Sequence, residues 1–122
     1  MMELRPLGKT DILISPVAFG CWPIAGMTSL DVNDADSIKT LHAAIEHGVN
    51  FLDTAFCYGA DGESERLIAT ALGERREELV IATKGGVHWS DENDLYVFFL
   101  LTVSGGGKFL VSSDSFGCQC CS

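Results

Sequence analysis

Short apolar stretches, bounded by polar or turn-forming residues, recur along the first two thirds of the chain. The opening ELRPLGKTDILIS has apolar positions on both sides of GKTD, a turn-forming sequence, and this pattern predicts a short β-hairpin. The later runs PVAFGCW, VNFLDTA and ELVIATKGG are too short for helices of ordinary length, and they predict three buried strands.

Between these strands the apolar positions change to helical spacing. The first helix is predicted over 37–47, and its apolar face consists of Ile38, Leu41 and Ile45. Asp34 or Asp36 can serve as its N-cap, and Gly48 is expected to end it. The stretch ESERLIATALG predicts a second helix, which ends at Gly73 and has one apolar face formed by Leu67, Ile68, Ala71 and Leu72.

This order predicts an α/β fold, with a hairpin followed by parallel strands and right-handed helical crossovers. Doubly wound sheets and (β/α)8 barrels both begin in this way. A Gly-x-Gly-x-x-Gly fingerprint, which would favour a doubly wound dinucleotide-binding sheet, does not follow any of these strands. The later GGGKF is not a phosphate-binding loop either, because Phe109 stands where such a loop has Ser or Thr.

The pattern changes after about Tyr96. The apolar run LYVFFLLTV is well short of the roughly 20 residues that a membrane-spanning helix needs, and a strand is favoured over a short membrane-associating segment. Residues 97–122 show no helical period and contain a triple glycine, several serines and a cysteine cluster. Residues 1–96 are therefore predicted to form one unit, and 97–122 a divergent, poorly ordered tail.

Composition and charge narrow the function classes. The chain has 122 residues, of which 47% are hydrophobic, and its formal charge is −9 from 17 acidic and 8 basic residues. Such a charge argues against binding to nucleic acid or to an anionic membrane surface. The start MMELRPLGKT lacks the apolar core of a signal peptide, so a cytoplasmic location is expected.

The five cysteines do not form a recognisable metal site. Cys118, Cys120 and Cys121 are crowded in CQCCS, whereas zinc sites usually repeat Cys-x-x-Cys or combine it with spaced histidines. No metal is therefore expected, and free thiols in a reducing compartment are the preferred interpretation.

Three polar residues lie at or just after the predicted ends of strands, where ligands bind in parallel α/β folds. A lysine ammonium (Lys84) stabilises a nearby phenolate, and a carboxylate (Asp53) would fix that ammonium in place. Together with Tyr58 they would form a general acid for a developing alkoxide. Each also has a simpler interpretation, since Asp53 can cap a turn, Tyr58 can be a half-buried aromatic and Lys84 can be a solvated loop residue.

The motifs around these three residues favour the proton-donating interpretation, because they resemble those of a known family. GVNFLDTAFCYG, GESE followed by LIATALG, LVIATKGG and the earlier LGKTDILISPVAFGCW closely resemble the aldo-keto reductase family over about residues 4–89. The resemblance implies a (β/α)8 barrel closed at its floor by an N-terminal hairpin. It also implies an NADPH-dependent oxidoreductase that reduces aldehydes or ketones, with a small-molecule carbonyl compound as its substrate.

The resemblance further assigns roles to single residues. Tyr58 would donate the proton to the carbonyl oxygen, Lys84 would lower the pKa of Tyr58, and Asp53 would pair with Lys84. The pocket for the nicotinamide would be lined by Gly20, Cys21, Trp22 and Asp53. The apolar walls for the substrate would be Trp22 and Trp89, and the alternative for either tryptophan is packing at the rim.

The chain also departs from the family. Family members use a histidine at the end of the fourth strand, and none of His42, His47 and His88 occupies such a position. Only three of the eight βα strands are recognisable, and the later strands and loops, which in the family hold the phosphates and adenine of NADPH, are absent. A truncated form with little or no activity is therefore expected. The alternative is a non-catalytic or regulatory module that associates with a full-length homologue.

Overall fold

The computed structural model describes residues 2–27, 31–89, 95–105 and 108–113; for 86–89, 95–104 and 108–113 it describes the backbone alone. Two α-helices and seven strands are present in these residues. In chain order they are β1 (Arg5–Pro6), β2 (Leu13–Ile14), β3 (Ala18–Gly20), α1 (Asp34–Glu46), β4 (Phe51–Asp53), α2 (Glu63–Leu72), β5 (Val80–Trp89), β6 (Leu95–Gly105) and β7 (Lys108–Ser113).

The main sheet contains β3 to β7 in sequence order. Strands β3, β4 and β5 run parallel, with α1 and α2 as the crossovers, so the predicted β-α-β-α-β order is confirmed. The register places Gly20 beside Asp53, and Asp53 beside Ala82. The carboxyl ends of the three parallel strands therefore lie at one edge of the sheet.

The larger core lies between the parallel strands and the two helices. Its fully buried members include Leu41 of α1, Leu52 of β4 and Leu72 of α2. Burying one such side chain contributes about 1.5–3 kcal/mol of transfer free energy. The predicted apolar faces of both helices are confirmed, since Leu41, Ile45, Leu67, Ile68 and Leu72 are all buried.

The predicted N-terminal hairpin is also confirmed. Strands β1 and β2 pair antiparallel, and Ile12 next to β2 packs against Val80 and Ala82 on the sheet face opposite the helices. The hairpin thus covers the amino-terminal end of that face and leaves the end near Asp53 uncovered by it.

Two local predictions are corrected. Asn33 caps α1, because its side-chain oxygen accepts a hydrogen bond from the Asp36 amide at 3.0 Å. The two aspartates proposed as caps instead occupy the first turn, where their charge favours the positive end of the helix dipole. Strand β3 is not fully buried, since Ala18 and Gly20 are exposed at the edge of the described sheet.

Strands β6 and β7 extend the sheet beyond β5 in antiparallel pairing. Residues 80–85 and 87–89 of β5 pair with β6, and β6 pairs with β7. The strand predicted in LYVFFLLTV is therefore confirmed, and no helix among the described residues has the length and apolarity to cross a bilayer. Within the part of the chain described, the edge of β5 away from β4 carries an antiparallel strand.

The last predicted features lie outside the described residues. Positions 114–122, which include Cys118, Cys120 and Cys121, belong to this group, as do two glycines of GGGKF. That residues 97–122 form a segment distinct from residues 1–96 stays a prediction.

Candidate active site

The side chains of Asp53 and Lys84 project from the same face of the sheet. Leu52, next to Asp53, points into the helix-side core, and side chains alternate along a strand, so Asp53 points to the opposite face. Ala82 belongs to the core beneath the hairpin on that opposite face, and Lys84 follows it by two positions. Both charged groups therefore stand beyond the end of the hairpin-covered surface.

Lys84 is the centre of the cluster. Its ammonium nitrogen lies 2.5 Å from Asp53 Oδ1, 3.0 Å from the Thr54 carbonyl oxygen and 3.4 Å from the Tyr58 hydroxyl oxygen. The structure therefore brings together the three residues predicted to supply the acid chemistry. Thr54 was not predicted, although its position directly after Asp53 places its carbonyl at the strand end.

Electrostatics favour a charged Lys84. The Lys84 side chain is 23% exposed, and this burial is the largest single influence and acts to lower the pKa of Lys84. The hydrogen bond and charge of Asp53, together with Tyr58, outweigh burial and raise the pKa above its ordinary value. An ammonium is therefore held beside the Tyr58 hydroxyl at neutral pH.

Tyr58 is positioned by the loop after β4. Its amide donates to the Ala55 carbonyl at 3.1 Å, and its own carbonyl accepts from the Ser64 amide at 3.1 Å. On one side the Trp22 ring meets the Tyr58 ring edge-on, with centroids 5.1 Å apart and planes at 81°. The phenol is therefore held between the end of β3 and the start of α2, with its hydroxyl towards Lys84.

The residues predicted to line a nicotinamide pocket divide into two groups. Gly20 is exposed, and a Cβ built on it meets no atom within 4 Å, so open space lies beside it. Trp22 is half-buried against Tyr58. The Cys21 side chain, by contrast, is fully buried in the helix-side core, so this residue can line the pocket only through its backbone.

The remaining candidates are Trp89 and the three histidines. Trp89 ends β5, but its side chain is outside the described residues, as is that of His88. His42 lies in the middle of α1, and His47 follows its last residue, at the amino-terminal end of the sheet. Neither of these two histidines lies at the carboxyl end of a strand.

Burial raises the pKa of the Cys21 thiol to about 12, with a smaller contribution from the charge of Asp53. A raised pKa keeps the native thiol protonated while the unfolded thiol ionises, so this group's contribution to stability is present below about pH 8.5 and is lost as pH rises towards 12. We expect Cys21 to resist alkylation by iodoacetamide at pH 8 in the native protein and to react in urea. Peptide mass mapping checks this, and equal labelling of Cys21 in both states would contradict it.

Comparison with known proteins assigns the family. The sequence model of the aldo/keto reductase family matches residues 16–96, more than half of the chain. The chain belongs to the aldo-keto reductase family. The resemblance inferred from the motifs around Asp53, Tyr58 and Lys84 is thereby confirmed at the level of the family.

Individual relatives agree with this assignment. The 6-dehydroglucose reductase of Novosphingobium aromaticivorans is 42% identical over 93 residues, which cover 68% of this chain and 29% of that protein. A probable voltage-gated potassium channel subunit beta of Arabidopsis thaliana is also 42% identical, and the match covers 68% of this chain and 25% of that protein.

Solved aldo-keto reductase structures share the fold. The holo form of the aldo-keto reductase AKR11C1 from Bacillus halodurans superposes with a TM-score of 0.65 at 28% identity, over 80% of this chain and 30% of that one. The chain thus spans about 30% of the length of this relative. Its hairpin, three parallel strands and two helices correspond to the N-terminal portion of an aldo-keto reductase barrel.

Proposed function

We propose that this site donates a proton in the NADPH-dependent reduction of aldehydes or ketones, with Tyr58 as the general acid. The observation that carries the proposal is the convergence on Lys84, whose ammonium nitrogen lies 2.5 Å from Asp53 Oδ1 and 3.4 Å from the Tyr58 hydroxyl. An ammonium at this distance stabilises the negative charge left on the phenol oxygen after it gives up its proton. Asp53 holds that ammonium in position.

The strand ends also fit a nicotinamide ring. The open space beside Gly20 leaves room for a flat ring near Asp53, and Trp22 and Tyr58 form an aromatic wall next to it. Gly20, the Cys21 backbone, Trp22 and Asp53 would hold this part of the cofactor. When bound, the cofactor supplies the hydride that reduces the carbonyl carbon, while Tyr58 gives the proton to the oxygen.

The rate in this chain is expected to be low. In an eight-stranded barrel of this class each strand pairs with parallel neighbours, whereas the outer edge of β5 here pairs with antiparallel β6. Lys84 itself is opposite Leu101 in that pairing. In the family, the next parallel strand carries a histidine at its end. Such a strand cannot pair with this edge of β5 while β6 occupies it.

Oxidation of NADPH with a small reactive aldehyde tests the proposal. With protein in excess, the wild-type chain is expected to consume NADPH slowly but above the protein-free rate, and Tyr58→Phe is expected to lower that rate by about 10²- to 10⁴-fold. Tyr96→Phe, the matched change at the chain's other tyrosine, should leave the rate unchanged. Equal rates for wild type and Tyr58→Phe, or no rate above background, would refute the reductase proposal for this chain.

A second candidate is a binding module that associates with a full-length homologue, in the cytoplasm. It is favoured by the exposed edge at β3 and by the similarity to a probable channel subunit beta. Co-purification of the tagged chain with a full-length reductase tests it. Two separate peaks in size-exclusion chromatography at micromolar concentrations would count against this role.

A further inference from the structure

A buried hydroxyl pair joins the elements that carry the proposed active site. The side chains of Thr54 and Ser64 are both 0% exposed. Removing a hydroxyl from water is unfavourable unless a hydrogen-bonding partner replaces it. Here Thr54 Oγ1 and Ser64 Oγ lie 2.9 Å apart, and Ser64 Oγ donates to the Cys21 carbonyl at 3.1 Å.

The direction of these hydrogen bonds follows from proton counting. A serine hydroxyl has one proton, and Ser64 uses it for the Cys21 carbonyl. Thr54 must therefore be the donor to Ser64. The resulting chain runs from the end of β4, through the first turn of α2, to the residue after β3, and each buried hydroxyl proton in it has an acceptor.

Each end of this series of hydrogen bonds is one further hydrogen bond or one residue away from a predicted catalytic group. The Ser64 amide donates to the Tyr58 carbonyl at 3.1 Å, and the Thr54 carbonyl accepts from the Lys84 ammonium at 3.0 Å. Cys21 directly precedes Trp22, whose ring contacts that of Tyr58. Ser64 therefore contacts the backbone of Tyr58 and Cys21, and contacts Thr54 through its hydroxyl.

We propose that Ser64 is a positioning residue, which fixes the Tyr58 loop and Thr54 relative to the end of β3 so that the Tyr58 hydroxyl faces Lys84. The consequence of this positioning for catalysis rests on the proposed function above, whereas the effect of Ser64 on the placement of Tyr58 does not. Without the Ser64 hydroxyl, the Cys21 carbonyl loses its donor and the Thr54 hydroxyl loses its acceptor. The Tyr58 and Trp22 rings then lose their fixed separation.

The chain offers a matched control in Ser37. It is also buried, at 3% exposure, and its hydroxyl donates to the Ile24 carbonyl in the same segment after β3, at 3.0 Å. Ser37 belongs to α1 and makes none of the three contacts of Ser64 described above. Ser37→Ala therefore removes a comparable buried hydrogen bond without touching the Tyr58 loop.

The test compares Ser64→Ala with Ser37→Ala in a Tyr96→Phe background, where Tyr58 is the only tyrosine. Nuclear Overhauser contacts between the Tyr58 and Trp22 rings report the geometry. The reductase rate at saturating aldehyde and the KM for the aldehyde report catalysis. For Ser64→Ala we expect loss of the ring contacts and a rate lower by about 10²-fold, as for a 1 Å misplacement, with KM within about twofold.

Ser37→Ala should lower the melting temperature to a similar extent, yet retain both the ring contacts and the rate. Retained ring contacts in Ser64→Ala, or equal losses of rate in the two variants, would refute the positioning role. If the parent protein shows no turnover, the proposed function fails, and the ring contacts alone still decide the inference. If Ser64→Ala does not fold, Ser64→Cys replaces the hydroxyl that donates to the Cys21 carbonyl with a weakly donating thiol, and ring contacts unchanged by that variant would likewise refute the role.

Discussion

Replacing Asp53 with asparagine is expected to lower the pKa of Lys84 below the ordinary value for a lysine. Burial is the largest influence on this pKa and acts to lower it, while the hydrogen bond and charge of Asp53 provide most of the opposing effect. An asparagine removes the charge, so burial dominates. Titration of the lysine ε-methylene resonances by NMR, with Lys84 assigned through Lys84→Met, measures the shift.

The same substitution should change the pH dependence of stability and of activity. The raised pKa of wild-type Lys84 stabilises the fold below the ordinary lysine pKa, about 10.4, and this contribution is lost as pH rises through the pKa in the folded protein. In Asp53→Asn the folded pKa lies below the unfolded one, so the lysine opposes folding at neutral pH. The stability difference between the two proteins should therefore close at high pH.

The pH dependence of the reductase rate should follow the fraction of Lys84 that is charged. In Asp53→Asn the alkaline loss of rate should begin at lower pH than in the wild-type protein, because the charge beside Tyr58 disappears sooner. Asp36→Asn is the matched control, since Asp36 pairs with Lys39 at 3.6 Å on the exposed surface of α1. A Lys84 titration that is unchanged in Asp53→Asn, or shifted equally by Asp36→Asn, would contradict the central role of the Asp53 carboxylate.

Substituting Gly59 with alanine is expected to destabilise the fold and to displace Tyr58. Gly59 has φ +80° and ψ −177°, a conformation that is essentially restricted to glycine. A Cβ there would lie 2.7 Å from the Glu63 Cβ and 3.1 Å from that of Ala25. The expected loss is about 1–3 kcal/mol in the free energy of unfolding, measured by urea denaturation.

Gly73 provides the comparison for this experiment. It has φ −57° and ψ −36°, and a Cβ on it meets nothing within 4 Å. Gly73→Ala should therefore be neutral or stabilising by up to about 1 kcal/mol, because it restricts the unfolded chain without straining the native backbone. Equal unfolding midpoints for Gly59→Ala and wild type would show that the loop before α2 can adopt another conformation without cost.

The sequence was sufficient to predict the secondary-structure elements. It was also sufficient to predict that Asp53 and Lys84, two of the three residues of the proposed proton-donating site, lie close together. Parallel strands end at one edge of a sheet, so a carboxylate after VNFL and a lysine after VIAT had to approach each other. The approach of Tyr58 depends on the conformation of Gly59 and on the Ser64 amide, and neither is visible as a periodic pattern. For Tyr58, the family resemblance supplied what spacing could not.

Ser64 and the outer strands show why the rest was missed. A serine among glutamates in GESE resembles a solvated helix start, and its burial depends on how α2 meets the residue after β3. Likewise, the apolar pattern of LYVFFLLTV predicts a strand but not its partner, because partner and direction depend on which sheet edge is available. The cap of α1 differed by only one residue from a predicted position, as is common at helix ends.

The pairing of β5 with β6 also has a consequence for how the chain folds. These two strands are neighbours in sequence and pair antiparallel, so their contacts join residues close in the chain, whereas β3 and β4 are separated by helix α1. Local pairings of this kind form faster on average than non-local ones. The edge of β5 is therefore expected to pair with β6 early in folding. A strand from another polypeptide can pair with that edge only after β6 has dissociated from β5. Association through that edge would rise with partner concentration only up to a ceiling, which is the rate at which β6 opens.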